Sequence, residues 1–239
     1  MDTYKINTPE ELLKGNPYVG RGIVIGKTPD ACKAAIAYFI MGRSENSRNR
    51  IFAEENGALF TRPFDESKVK DPSLIIYAAL RQFENKLVVT NGDQTDTIYE
   101  GLKNGVDFGS SLKSREFEPD APNLTPRISG ILTFENADFT YEMSILKSAD
   151  AAGSACSRYL FSYNAIPGLG HFIHTYATDG NPIPTFQGEP ERMLIPNSID
   201  ELKEQLWDNL DEANRISLYV RYIDLKDGGC ESRIINKNK

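Results

Sequence analysis

Residues 20–42 read GRGIVIGKTPDACKAAIAYFIMG. Two runs of β-forming character, GRGIVIGK and KAAIAYFIMG, flank the turn-forming Thr28-Pro29-Asp30, which predicts an opening β-hairpin. The second run is apolar on both of its faces, and so is SLIIYAAL at 73–80. A sheet with one wet face alternates apolar and polar residues, so these strands belong between two covering layers.

Ahead of the hairpin, Thr8, Pro9 and Glu11 predict a short capped helix ending by Gly15 and Pro17. Beyond it, KLVVTNG at 86–92 is a strand that stops at Asn91-Gly92, and TDTIYEGLKNG is a helix starting near Thr95 or Asp96. REFEPDAPNLTPR at 115–127 is a Pro-rich loop. RISGILTF, FTYEMSILKS, SRYLFSYNAI and GHFIHTYAT are further strands, with turns or a brief helix near residues 149–155. Ser198 and Glu201 form a second capping box before the stripe Ile199, Leu202, Leu206, Leu210 and Ala213, a helix that covers a sheet. ISLYVRYIDL follows as a final strand, with Ile216, Leu218, Val220 and Tyr222 pointing one way. No repeat, low-complexity tract or linker interrupts the pattern. It predicts one α+β domain over 1–239, two β layers flanked by helices, with a short helical extension at 1–18.

The 239 residues hold 27 Lys and Arg against 34 Asp and Glu, a formal charge of −7, with 40% hydrophobic and 26% charged. That balance is globular. A net acidic chain lacks the extended basic surface of a nucleic-acid binder, so any anion must meet a local cluster. No stretch approaches the roughly 18 consecutive apolar residues of a membrane span, and MDTYKINTPEELL does not read as a signal segment. Cys32, Cys156 and Cys230 are odd in number and far apart, which argues against disulfides or zinc and for a reducing cytoplasm.

Gly42-Arg43-Ser44-Glu45-Asn46-Ser47-Arg48-Asn49-Arg50 places three guanidinium groups among small polar residues. This is a candidate phosphate clamp, because a guanidinium donates two parallel hydrogen bonds and stays charged; a solvated polar loop is the alternative. Asn91 to Thr97 joins a strand to a helix and either meets an anion with free backbone N–H groups or serves as turn and cap. No NTPase phosphate loop or dinucleotide fingerprint is present. His171 and His174, three apart on a strand, point to opposite faces and cannot share a metal ion. Glu118 and Asp120, near Arg127, are an acid/base candidate or loop charges. Tyr77 reads as a core aromatic whose hydroxyl needs a partner.

In series, GRGIVIG, MGRSENSRNR, SLIIYAALR, TNGDQTDTI and FEPDAPNLTPRIS resemble the archaeal-type IMP cyclohydrolase family from about Asn16 to Gly180. NG-x-x-TDTI followed by N-x-TPRI carries most of that resemblance. It implies an N-terminal-nucleophile hydrolase-like fold, a four-layer αββα sandwich. It also implies a reaction: ring closure of 5-formamidoimidazole-4-carboxamide ribonucleotide (FAICAR) to IMP, the last step of purine biosynthesis, with no metal or cofactor. Arg43 and Arg50 would then contact phosphate and oxyanion, with Arg48 alongside. Tyr77 would hydrogen-bond the formyl group or act as general acid, and Glu118 would accept or relay a carboxamide proton. Asn91, Asp96 and Arg127 would position base and ribose or hold the two loops together. The chain departs from the family in its N-terminal extension, a longer arginine loop and a longer C-terminal half; that half could shape a homo-oligomer interface, cover the pocket or provide a second activity. No Ser, Thr or Cys leads the first strand, so neither self-cleavage to Thr28 or Cys32 nor a covalent intermediate is expected. Two other readings are an amidohydrolase of the same fold and a non-catalytic purine-nucleotide-binding module.

Overall fold

The computed structural model describes residues 4–69 and 76–238. In chain order its elements are α1 (Pro9–Leu13), β1 (Arg21–Lys27), β2 (Lys33–Met41), α2 (Glu45–Arg48), β3 (Arg50–Glu55), β4 (Ala58–Pro63), β5 (Tyr77–Phe83), β6 (Lys86–Thr90) and α3 (Gln94–Lys103). They continue with α4 (Phe108–Ser111), β7 (Arg127–Glu135), β8 (Asp138–Ser148), β9 (Cys156–Asn164), β10 (Leu169–His174), β11 (Glu191–Leu194), α5 (Ile199–Asn209), β12 (Arg215–Asp224) and β13 (Cys230–Asn236).

The strands form two antiparallel sheets, ordered β11-β10-β1-β2-β12-β13 and β3-β4-β5-β6-β7-β8-β9. The opening hairpin is present, with Ile25 opposite Ile36. Ile23, Ile25, Ile36 and Tyr38 of the first sheet share one buried cluster with Leu59, Leu80, Val89, Ile128 and Tyr141 of the second. The other side of the first sheet, through Val24, Phe39 and Leu218, packs on Leu13 of α1 and Leu202 and Leu206 of α5. Val88, Ile131 and Leu146 of the second sheet pack on Ile98 of α3 and Phe108 of α4. This double burial is why β2 carries no polar face: every residue from Ala34 to Met41 is buried.

Thr8 and Glu11 form a complete capping box, whereas Ser198 accepts from the Glu201 amide without the return bond, the Glu201 carboxylate accepting from Gln205 instead. Three further expectations change. The helix after Ser198 ends at Asn209, so Ala213 lies outside it. Strand β12 is not the last; it runs between β2 and β13. A bulge between Arg215 and Ser217 turns Ile216 to the inter-sheet cluster, while Leu218, Val220 and Tyr222 face the helices. Of the strand expected at 73–80, residues 73–75 fall outside the described residues and the rest begins β5 at Tyr77. Strand β13 reaches across to the second sheet: the Asn236 side chain accepts from Phe52 N at 2.8 Å and donates to Phe52 O at 3.0 Å. Asn238 Nδ2 donates to Arg48 O at 2.7 Å.

Candidate active site

Several chain ends converge on one mouth of the molecule: the start of β1, the α2 loop after β2, the start of β3, the Pro-rich loop before β7 and the segment after β10. They enclose a cleft of about 260 Å³ lined by, among others, Tyr18, Arg21, Arg43, Arg50, Glu118 and Tyr176. At its rear wall, Arg21 Nη2 donates to Glu118 Oε1 at 2.5 Å, with only 12% and 8% of the two side chains exposed. Burial opposes the Arg21 charge, yet Glu118 and the nearby hydroxyls of Tyr77, Tyr38 and Tyr176 hold its pKa well above the ordinary arginine range. Gly20 sets this residue in place with a φ of 77°, and a side chain there would collide with Tyr176. The second Glu118 oxygen has no hydrogen-bond partner among the described residues, so it is free to accept from a ligand.

The arginine loop folds into the short helix α2, closed by reciprocal bonds between Ser44 and Ser47. Arg50 is 5% exposed and its guanidinium meets no acceptor among the described residues. Arg43 reaches Asp179, donates to Gly180 O at 2.9 Å and lies 5.1 Å over the Tyr18 ring. Arg48 turns elsewhere, to Gly42 O at 3.0 Å and Asn214 Oδ1 at 3.1 Å. Opposite, Thr125 ties the Pro-rich loop together: its amide donates to Asp120 at 2.7 Å and its hydroxyl bonds to Asp120 and Tyr176. Burial pushes the Tyr176 phenol upward, so it stays protonated and able to donate.

Three buried polar atoms without a protein partner, Arg21 Nε, Asn46 Oδ1 and Arg50 Nε, belong to residues of this one cleft. Each such atom costs about 1–3 kcal/mol when left unpaired; four more among the described residues, on Thr61, Ser129, Ser144 and Arg221, lie elsewhere, so the cleft holds the larger share of the unpaired guanidinium nitrogens. A second cavity of about 280 Å³, at the far end of the sheets, is lined by Arg221, Asp138, Asp224 and Glu135. Its arginine is already paired with Glu54 at 2.6 Å, which leaves the cavity acidic and unsuited to an anion.

The cleft thus unites Arg43, Arg50 and Glu118. Tyr77 is not on its lining; it sits in the inter-sheet core, 5% exposed, bonded to the Tyr38 hydroxyl at 2.8 Å and near enough to Arg21 to influence its charge. Asn91, Asp96 and Arg127 lie apart. Asn91 accepts from Ile128 N and Gln94 Nε2 at 2.9 Å each and donates to Pro126 O at 2.9 Å. Arg127 donates to Asp93 at 2.7 Å and Gln94 at 2.8 Å, and Asp96 pairs with Arg81 at 2.6 Å on the surface. Asn91 and Arg127 therefore join the α3 start to the Pro-rich loop. His171 bonds Tyr141 at 2.6 Å and stacks on Tyr163, whereas His174 bonds Tyr176 O and Glu191, each histidine having its own partners. Sequence reasoning passed over Arg21. The available signal was a guanidinium opening a strand whose residues 22–26 are apolar on both faces, because such a charge must find a buried partner.

Residues 18–228 match the family described as IMP cyclohydrolase-like protein. The chain belongs to this family. It is similar to the IMP cyclohydrolase of Methanopyrus kandleri, 32% identical over 182 residues that cover 71% of this chain and 89% of the relative. The IMP cyclohydrolase of Methanococcus maripaludis strain S2 is 31% identical over 157 residues, 62% of this chain and 75% of the relative. That of Methanothrix thermoacetophila is 32% identical over 124 residues, 50% and 60% of the two chains. The family match takes in every residue of the cleft named above and stops short of β13.

Proposed function

We propose that the chain is an IMP cyclohydrolase, closing the pyrimidine ring of FAICAR with loss of water, as the names of its relatives suggest. The observation that carries this reading is the combination of unpaired guanidinium donors and one ion-paired carboxylate around a cleft within the matched region. Arg50 and Arg43, with Ser44 and Ser47, form the end suited to a phosphate monoester. Glu118, on the Pro-rich loop, has a free oxygen that can take a proton from the carboxamide nitrogen. Tyr77, behind the cleft lining, serves the formyl group by giving up its bond to Tyr38, and Asn91 and Arg127 hold the loops that shape the pocket.

Both reacting groups are on one substrate, so the protein's task is to press them together, stabilise the developing oxyanion and move protons. Such a reaction calls for no metal, cofactor or covalent intermediate. The packing of α1 and α5 outside one sheet, and α3 and α4 outside the other, supports the four-layer αββα arrangement of the N-terminal-nucleophile hydrolase-like fold. The same reading takes 1–239 as a single domain of a cytoplasmic enzyme. Purified protein given FAICAR without ATP or added metal should yield IMP, followed by absorbance and chromatography; binding of IMP with no turnover would instead leave a nucleotide sensor.

A further inference from the structure

The geometry points to Arg21 as a further catalytic residue, the donor that stabilises the formyl oxyanion, an inference that rests on the cyclohydrolase reading above. A guanidinium has five N–H donors. The Arg21 side chain gives one to Glu118, and no other described residue accepts from it. Its Nε is buried without a partner, and the residue lines the cleft beside the proposed base. Arg43 is a poorer candidate, being half-exposed and already bonded to Asp179 and Gly180. Arg50 directly follows the α2 loop that carries Asn46 and the serine pair, which the reading above gives to the phosphate.

The chemistry requires base and oxyanion donor to be neighbours. As the carboxamide nitrogen forms its new bond to the formyl carbon, it gives one proton to Glu118 while the formyl oxygen becomes negative. That oxygen then takes two protons, the one held by Glu118 and the hydrogen that the former formamide nitrogen gives up, and departs as water as the C=N bond forms. The attacking nitrogen and the formyl oxygen share one carbon, so the groups that serve them must sit within a few ångströms. Arg21 and Glu118, 2.5 Å apart, meet that condition in a water-poor wall, where a fixed cation stabilises the transition state most.

The test is the pH profile of kcat for Arg21→Met and Arg21→Lys, with IMP titrated calorimetrically into each variant to count folded sites. An oxyanion donor predicts that Arg21→Met loses about 10²–10³ in kcat at every pH. Arg21→Lys, which keeps the charge and the partner of Glu118 but not the fork, should recover part of the loss, and IMP should bind each variant within a few-fold of wild type. If activity of Arg21→Met returns to wild type at high pH, Arg21 merely holds Glu118 ionised and the assignment falls. Unchanged kcat in both variants also overturns it. Failure of the wild-type chain to convert FAICAR would refute the underlying function instead.

Discussion

The hydroxyls of Tyr38 and Tyr77 meet at 2.8 Å and join β2 of one sheet to β5 of the other. Neither has another hydrogen-bond partner among the described residues. Burial, reinforced by Tyr77, pushes the Tyr38 phenol well above its ordinary pKa, so that hydroxyl stays protonated. Removing one partner strands the other in the core, at a cost of about 1–3 kcal/mol. Tyr77→Phe should therefore lose that stability in urea unfolding, and also lower kcat by roughly 10²–10⁴ if its proton serves the formyl group. The double variant Tyr38→Phe, Tyr77→Phe should regain much of the stability and none of the activity; recovery of turnover would exclude Tyr77 from the chemistry.

Arg50 and Arg48 are two residues apart and face different neighbours. Arg50→Ala removes a buried donor of the cleft and should weaken binding of IMP by about 10- to 100-fold, the range of a charge-assisted hydrogen bond. Arg48→Ala breaks bonds to Gly42 and Asn214 outside the cleft lining. Its effect on the dissociation constant should stay within about twofold, the scale of an exposed interaction. Calorimetry on both variants separates the two.

Asn91 makes three buried hydrogen bonds that fasten the α3 start to the Pro-rich loop. Asn91→Ala should destabilise the protein by on the order of 3 kcal/mol, because Ile128 N, Pro126 O and Gln94 lose their partners together. Turnover per folded molecule should change far less than in Glu118→Gln. Thermal unfolding with a parallel activity assay checks this; equal losses in the two variants would place Asn91 against the substrate.

His171 gives the fold an acid limit. Burial, and then the Arg192 charge, lower its pKa from 6.5 to about 4. A histidine whose folded pKa is depressed stabilises the native state above its unfolded pKa, and that contribution fades as pH falls through the folded value. The window runs from about pH 6.5 to 4 and amounts to at most about 3 kcal/mol. His171→Phe should flatten the fall in stability across this window, measured by urea titration at pH 7, 5.5 and 4. An unchanged slope would mean another group sets it.

Much of the architecture was readable where burial dictates composition. The hairpin at 20–42 carries apolar residues on both faces because it is covered on both sides, and the capping residues Thr8 and Ser198 announce helices locally. Strands β3, β4, β11 and β13 escaped because each is partly exposed and lacks a regular apolar run, so pairing with neighbours rather than side-chain pattern defines them. Ile216 escaped because a bulge breaks the two-residue period. In the cleft, residue type pointed to Arg43, Arg50 and Glu118, but their convergence depends on two distant chain segments, the arginine loop and the Pro-rich loop, meeting. Arg21 needed the partner that only the folded chain supplies.

Strand β13 lies outside the family match, yet Asn236 clasps Phe52 and Asn238 holds the carbonyl of Arg48, on either side of Arg50. The tail thus buttresses a cleft arginine from behind. Shortening the protein to its matched core would loosen that grip, and the damage would surface as poor nucleotide capture rather than as a missing catalytic group.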